Sequence, residues 1–298
     1  MVVVTDVMSQ IGSRLAVNLI QRGETVRGID ESRQHMAYLI SEGVHAAMGD
    51  IADPAFLQST LKDAHSLFLI YPLRSQMENF RKTFSDITHS VIKSVRDVPL
   101  RNIYLLSTMG ADDEEEAGFL YAFKQVEEQL EILNLENLIT FRGGYFMDHI
   151  LAKIPLVKHR NMLADCIDGN AELYLSHPRD IAASMAQIHA GKSHFGRSKV
   201  ELYSDKLTMR QVTKIIGDAI DEPELIYQTA SDKEMREYYL QTGYSISMAN
   251  CLIETAHGIS RGAVSPSLID PSTPNCSTKF TEFARKTFAT LYRSSTCM

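Results

Sequence analysis

The sequence predicts an α/β fold, a Rossmann-like doubly wound parallel sheet with a smaller, mostly helical C-terminal part. Short runs rich in Val, Ile and Leu at 2–5, 25–29, 44–47, 66–70, 103–107 and 138–142 read as strands covered on both faces. They alternate with stretches of helical period instead of hairpin turns. The chain has 298 residues, 44% hydrophobic and 22% charged, which suits a globule of one or two domains and excludes a disordered or disulfide-scaffolded chain.

Between the first two strands, Ile11, Leu15, Ala16, Leu19 and Ile20 recur at helical spacing and face the sheet until Gly23 ends the helix. Further crossover helices are expected over 76–95 and 119–133, and right-handed crossovers stack them on both faces of the sheet. After Arg142 the rhythm loosens, with helices expected at 209–220, 232–241 and 280–291. Ser231 with Glu234 forms a capping-box pair, and Gly243 is a stop. Pro266, Pro271 and Pro274 mark 262–277 as an extended loop. Residues 1–150 therefore read as the Rossmann-like domain. Residues 151–298 read as a substrate-binding part, interleaved with the first and packed across the carboxyl ends of the strands.

Thirty Lys and Arg against 37 Asp and Glu leave a net charge of −7, which argues against nucleic acid as a partner. The best basic cluster, Lys153, Lys158, His159 and Arg160, reads as a solvated patch. Cys166, Cys251, Cys276 and Cys297 form no C-x-x-C pair, and Asp165 and Asp168 disfavour a thiolate at Cys166. The opening Met-Val-Val-Val-Thr is too short and too neutral for a signal peptide or membrane span, so a soluble cytoplasmic protein is expected. The histidines show no H-E-x-x-H spacing, and there is no G-x-S-x-G elbow or Walker loop. No metal is expected.

In open parallel sheets, ligands sit beyond the carboxyl ends of the strands, where helix N-termini offer unpaired N–H groups to anions. Here that is the turn from Thr5 to Ser13, reading T-D-V-M-S-Q-I-G-S. Asp30 and Glu31 close the second strand, where acids suit a ribose hydroxyl pair and favour NAD over NADP, with Arg33 close by. As an alternative, both are solvated turn acids. Ser107 ends a central strand, either reaching a ligand or satisfying its own turn. The run Asp112 to Glu116 complements the positive end of the following helix, with a preference for cationic substrates as a further hypothesis.

Several motifs occur in a specific order: the turn around Gly12, Gly49-Asp50 with Asp53-Pro54, Ser107-Thr108-Met109-Gly110-Ala111, Lys124 with Glu128, Arg142-Gly143-Gly144-Tyr145-Phe146-Met147, Pro178-Arg179-Asp180-Ile181-Ala182 and Phe280-Thr281-Glu282-Phe283-Ala284. Over nearly its whole length the chain resembles the NmrA-like, atypical short-chain dehydrogenases/reductases. That resemblance implies a dinucleotide, NAD(P)(H), held by Ser9, Gln10, Ile11, Gly12, Asp30, Asp50, Ile51, Tyr71, Lys124, Gly144, Tyr145 and Phe146. The family's first turn is G-A-T-G-x-x-G, and aligned on Gly12 its first two glycines are Asp6 and Ser9 here. Both substitutions bear on the diphosphate: a side chain at Ser9 crowds it or donates a hydroxyl, and a carboxylate at Asp6 repels it or points away.

Typical short-chain dehydrogenases also carry Tyr and Lys four apart, the lysine lowering the tyrosine pKa. Position 120 is Leu, so the expected catalytic set is Lys124, Tyr121 three residues before it, and Ser107. Three functions follow from the resemblance and its departures. The first is a reductase delivering hydride to a small conjugated ketone, quinone or imine. The second is a non-redox isomerase or cyclase on the same scaffold. The third is a dinucleotide-sensing regulator without turnover. A small-molecule substrate is the expected partner, and a homodimer is among the assemblies open to such a chain.

Overall fold

A computed structural model of the chain describes residues 1–31, 36–113, 117–191, 194–266 and 276–294. In chain order the strands are β1 (Val2–Val4), β2 (Val26–Asp30), β3 (His45–Met48), β4 (Ser66–Leu69), β5 (Asn102–Thr108), β6 (Asn137–Gly143) and β7 (Tyr145–Phe146). They continue as β8 (Met162–Asp165), β9 (Glu172–Ser176), β10 (Gly196–Leu202), β11 (Asp205–Thr208) and β12 (Ile226–Thr229). Seven of them form one parallel sheet in the order β10-β6-β5-β4-β1-β2-β3. The strand order reverses at β1, which pairs with β2 on one side and β4 on the other, so the crevice of the sheet opens above β1 and β4.

The helices are α1 (Gln10–Gln21), α2 (Ala37–Ser41), α3 (Pro54–Leu61), α4 (Phe80–Ser94), α5 (Phe119–Leu130), α6 (Ile154–Arg160), α7 (Pro178–Gly191), α8 (Met209–Ile220), α9 (Asp232–Gln241) and α10 (Ile246–Ser260). Short helices α11 (Phe280–Phe283) and α12 (Ala289–Ser294) flank a π-helical turn at Ala284–Phe288. Alternating strand residues divide the core. Val2, Val4, Phe68 and Tyr104 pack with α1 and α7, whereas Val3, Leu67, Leu69 and Ile103 pack with α3, α4 and α5. A third cluster, built from α6, α8, α9, α10 and the helices after 280, lies beyond the strand ends.

The predicted doubly wound α/β class holds, with three local departures. The seventh strand, β10, comes from the second half of the chain; its first residues alternate in exposure at the sheet edge, so Gly196–Lys199 lacks a continuous apolar run. Helix α4 begins at Phe80 instead of 76 because the Asn79 side chain caps it, accepting from the Lys82 N–H at 3.0 Å. The single helix expected at 280–291 is interrupted by the π turn and runs on to Ser294. The Ser231/Glu234 capping box forms as expected, and Gly243 follows the end of α9. Two widely separated motifs meet: Asp180 accepts from the Thr278 N–H at 2.7 Å and hydroxyl at 2.9 Å, anchoring the approach to α11 onto α7. Among the described residues, no helix is long and apolar enough to cross a membrane. Cys166, Cys251 and Cys276 are buried free thiols, and Cys297 lies outside the described residues.

Candidate active site

The turn after β1 enters the crevice through Asp6, a non-glycine residue in the left-handed region at φ 45°. Ser9 then caps α1, its hydroxyl accepting from the Gly12 N–H at 3.0 Å. Gly12 is sterically obligatory, because a Cβ there would lie 2.4 Å from the Asp6 carbonyl oxygen. The surviving glycine thus serves close packing of turn and helix, and the serine takes one helix N–H that an anion would otherwise receive. Asp6 does not stand alone: Arg74, on the loop after β4, lies 2.8 Å from its carboxylate and bridges the crevice. Burial raises the Asp6 pKa, and Arg74 opposes that rise.

The Arg74 loop is stitched to α10. The Ser245 N–H donates to the Ser75 carbonyl at 2.8 Å and its hydroxyl to the Met77 carbonyl, while the Phe80 N–H donates to the Ser247 hydroxyl at 3.2 Å. A continuous cavity of about 860 Å³ runs from the crevice to the space beneath α9 and α10, within the usual range for a cofactor or substrate site. Asp6, Ser9, Gln10, Ile11 and Arg74 line its crevice end.

Of the other expected residues, Ser107, Tyr71, Gly144, Tyr145 and Phe146 also line the cavity. The Ser107 hydroxyl is engaged with a helix, not with its own turn: it donates to Glu127 on α5 at 2.6 Å. Arg142 grips the same carboxylate with two hydrogen bonds, 3.1 and 2.9 Å, and Lys199 reaches it at 3.1 Å. The Tyr71 hydroxyl is hydrogen-bonded to Thr88 at 2.7 Å inside an aromatic cluster with Phe84 and Phe123. Gly144 is required where β6 meets β9, since a Cβ there would fall 2.1 Å from the Tyr174 carbonyl oxygen.

Tyr121 and Lys124 do not line the cavity. Tyr121 accepts from Gln125 at 3.0 Å and lies beneath the Arg81 guanidinium, on the outer side of α5. Asp30 ends β2, buried, close enough to Asp6 to raise that group's pKa; Glu31 is exposed and Arg33 lies outside the described residues. Asp50 is exposed and its carboxylate accepts from the Ala52 N–H at 2.8 Å, while Ile51 is buried in the core.

Two surface readings need correction. Lys153 is not part of a solvated patch: it is only 4% exposed and lines the cavity, with its ammonium 2.9 Å from Asp165 and donating to the Tyr239 hydroxyl at 3.3 Å. The basic cluster divides there, because His159 and Arg160 remain exposed. Asp112 and Asp113 pair with Arg142 and Arg261, at 3.1 and 3.0 Å, instead of serving the start of α5, and neither lines the cavity. Glu114, Glu115 and Glu116 lie outside the described residues.

Sequence reasoning missed the polar group at the far end of the cavity: Lys153, Asp165, His149, Tyr239 and Tyr244, beside the expected Tyr145. His149 is an exposed residue that lines the cavity, and desolvation by the surrounding protein lowers its pKa to about 4, outweighing the opposing pull of Asp165. Burial likewise raises Tyr145 and Tyr239, with Asp165 adding to it, so both phenols stay protonated. Cys166 is pushed up to about 12, first by burial and then by Asp165.

No family model matches the chain. The solved structures do. The Citrobacter sp. triphenylmethane reductase complexed with NADP(H) superposes with a TM-score of 0.82 at 16% identity, covering 96% of this chain and 99% of that one. The NADPH-dependent quinone oxidoreductase of Escherichia coli, complexed with NADPH, gives 0.77 at 19%, covering 95% and 98%. NmrA, a negative transcriptional regulator in complex with NAD, gives 0.73 at 12%, covering 98% and 97%. The chain shares the Rossmann-like fold of these three proteins. In sequence it is 23% identical over 243 residues to a Streptomyces griseus (4-alkanoyl-5-oxo-2,5-dihydrofuran-3-yl)methyl phosphate reductase, covering 80% of this chain and 82% of that protein.

Proposed function

We propose that the protein is an NAD(P)H-dependent oxidoreductase acting on a small conjugated ketone, quinone or imine. One observation carries this reading: a single cavity joins a helix N-terminus at the sheet's topological switch point to a pocket lined by a buried cation and several neutral phenols. The fold neighbours include reductases of a quinone and of dyes, each complexed with a nicotinamide nucleotide, which supports the same class.

The crevice residues fit a dinucleotide in spite of the altered turn. Ser9, Gln10 and Ile11 bring the first turn of α1 to the cavity, Gly12 allows the tight packing beneath it, and Arg74 supplies positive charge beside Asp6. Asp30 and Glu31 would take the ribose hydroxyls of NAD in preference to a 2′-phosphate, with Asp50 and Ile51 near the adenine edge. Tyr71, Gly144, Tyr145 and Phe146 would border the nicotinamide. When bound, reduced nicotinamide supplies the hydride. The chain's own work is to exclude water with apolar walls such as Ile167, Leu173 and Leu252, and to fix the wall at Ser107 through Glu127 and Arg142.

Calorimetric titration with NAD, NADH, NADP and NADPH tests the reading. Saturable binding is expected, weakened about tenfold by Arg74→Ala, and reduced nucleotide should be oxidised by simple quinones. Absence of binding to all four nucleotides overturns it in favour of a cofactor-free isomerase or cyclase. Binding without turnover against a panel of quinones, enones and imines favours a dinucleotide sensor; NmrA itself is a negative transcriptional regulator solved in complex with NAD.

A further inference from the structure

At the end of the cavity farthest from the crevice, three elements converge on one ammonium group. Lys153 arrives from the 3-10 turn Met147–Lys153, Asp165 from the end of β8, and Tyr239 from the last turn of α9. The Lys153 ammonium is held by Asp165 at 2.9 Å, and lies 4.9 Å from the centre of the Tyr239 ring and 5.4 Å from that of Tyr238. Asp165 is itself fixed by the Cys166 N–H at 2.8 Å. Both ions are buried and both line the cavity. A buried ion pair is costly to keep unless its geometry is good, and as a stabilising device it is often no better than apolar packing. One that opens onto a ligand-sized cavity is therefore better explained by what it does for a ligand.

The hydrogen bond from Lys153 to Tyr239 has a direction. An ammonium only donates, so the Tyr239 oxygen accepts at 3.3 Å, and the phenol's own proton must point away from Lys153. Tyr239 lines the cavity, which gives that proton a recipient in whatever ligand oxygen enters there. Donation by a cation strengthens the phenol as a donor and opposes the burial and the Asp165 charge that hold its proton on. Tyr121, in contrast, lies on the outer side of α5 with its hydroxyl accepting from Gln125.

We propose that Tyr239, hydrogen-bonded by Lys153, is the proton donor to the substrate's carbonyl oxygen, and that this pair forms an oxyanion site selecting neutral conjugated carbonyl compounds. The proposal rests on the oxidoreductase reading for its reaction and on the cavity alone for its ligand chemistry. Reduced nicotinamide, when bound, would supply the hydride to the substrate's electrophilic carbon, and the electron pair displaced from the carbonyl bond would gather on oxygen. The Tyr239 O–H bond breaks to protonate that oxygen. Lys153 returns a proton to the phenolate and is reprotonated from solvent. Asp165 balances the ammonium in the resting site, so an oxyanion is favoured there by the oriented donor and not by a net positive charge. An oxygen that becomes negative during the reaction meets a donor already oriented toward it.

The test is chosen to need no nucleotide. 4-Nitrophenol carries an oxygen like that of a reduced quinone, and the absorbance of its ionised form reports hydrogen bonding directly. Titrated into the wild-type protein, it should bind with the ionised form favoured. Tyr239→Phe, which keeps the ring and its packing, should weaken binding at least tenfold. The double substitution Lys153→Met with Asp165→Asn removes both charges together, and should abolish the preference for the ionised form. Equal binding by wild type and Tyr239→Phe, or no binding by the wild type at millimolar probe, overturns the proposal whatever the nucleotide titrations give. Failure of nucleotide binding, with the phenol results as expected, overturns only the oxidoreductase reading. Where turnover is measurable, Tyr239→Phe should lower kcat at least 100-fold with the KM for nucleotide unchanged, the range of general-acid effects. A loss confined to Tyr121→Phe would assign the proton to the outer face of α5 and overturn the proposal.

Discussion

Replacing Asp6 by glycine isolates the cost of the altered first turn. At φ 45° a residue with a side chain pays about 1 kcal/mol in left-handed strain, toward the low end for Asp. Glycine relieves that strain but loses about 0.5–1 kcal/mol of unfolded-chain entropy, so the backbone effects nearly cancel. The charge does not cancel. A carboxylate lining the crevice would repel a diphosphate there by an amount on the order of 1–4 kcal/mol at an effective dielectric of about 20. Arg74, 2.8 Å from the Asp6 carboxylate and half-exposed, offsets part of this and is released toward the nucleotide once the carboxylate is gone. The expected result is tighter nucleotide binding, on the order of tenfold for each 1.4 kcal/mol recovered, read by calorimetry. Asp6→Asn should gain the charge part alone. Burial raises the folded-state pKa of Asp6, so its stabilising contribution is complete below the unfolded carboxylate pKa and is lost as pH rises through the raised value. Asp6→Asn should therefore raise Tm at pH 7 relative to wild type and show little difference near pH 3. Nucleotide binding that is unchanged or weaker in Asp6→Gly would refute the reasoning.

Three further outcomes are expected. Glu127→Gln removes the shared anion of Arg142 and Lys199 and should cost about 1–3 kcal/mol, seen as a lowered denaturant midpoint, because it leaves the buried guanidinium with Asp112 alone as its anion. The His149 ring should stay neutral down to about pH 4 by NMR titration; its lowered pKa gives stability that is present above the unfolded value near 6.5 and lost as pH falls through about 4, a loss that His149→Gln should remove. Asp30→Ala should narrow a preference for NAD over NADP, and a ratio of dissociation constants unmoved by the substitution would show that the β2 terminus does not read the ribose.

The Rossmann half was legible because its signals are local. The period of α1 and the apolar runs of the inner strands are each written within a dozen residues, as is the Ser231/Glu234 cap in the C-terminal part. The Ala182 motif hid a whole helix, α7, and α10 went unseen because apolar residues such as Met248, Cys251, Ile253 and Ile259 surround its axis without a clear polar stripe. The site was half legible. Ser9, Gln10, Ile11, Tyr71, Ser107, Gly144, Tyr145 and Phe146 do converge on one cavity. The pairings that define its electrostatics join Asp6 to Arg74 and Lys153 to Asp165 and Tyr239, across long stretches of chain. A lysine or aspartate read singly looks like surface, since burial of either depends on a partner that only the tertiary fold supplies.

The stitching of Ser75 and Met77 to Ser245 has a kinetic meaning. The segment that offers Arg74 to the crevice is tied to the start of α10, whose residues line the distant pocket, so the two ends of the cavity are mechanically joined. On the proposed oxidoreductase reading, this coupling predicts compulsory-order kinetics, nucleotide entering first and acceptor second, which product-inhibition patterns would check.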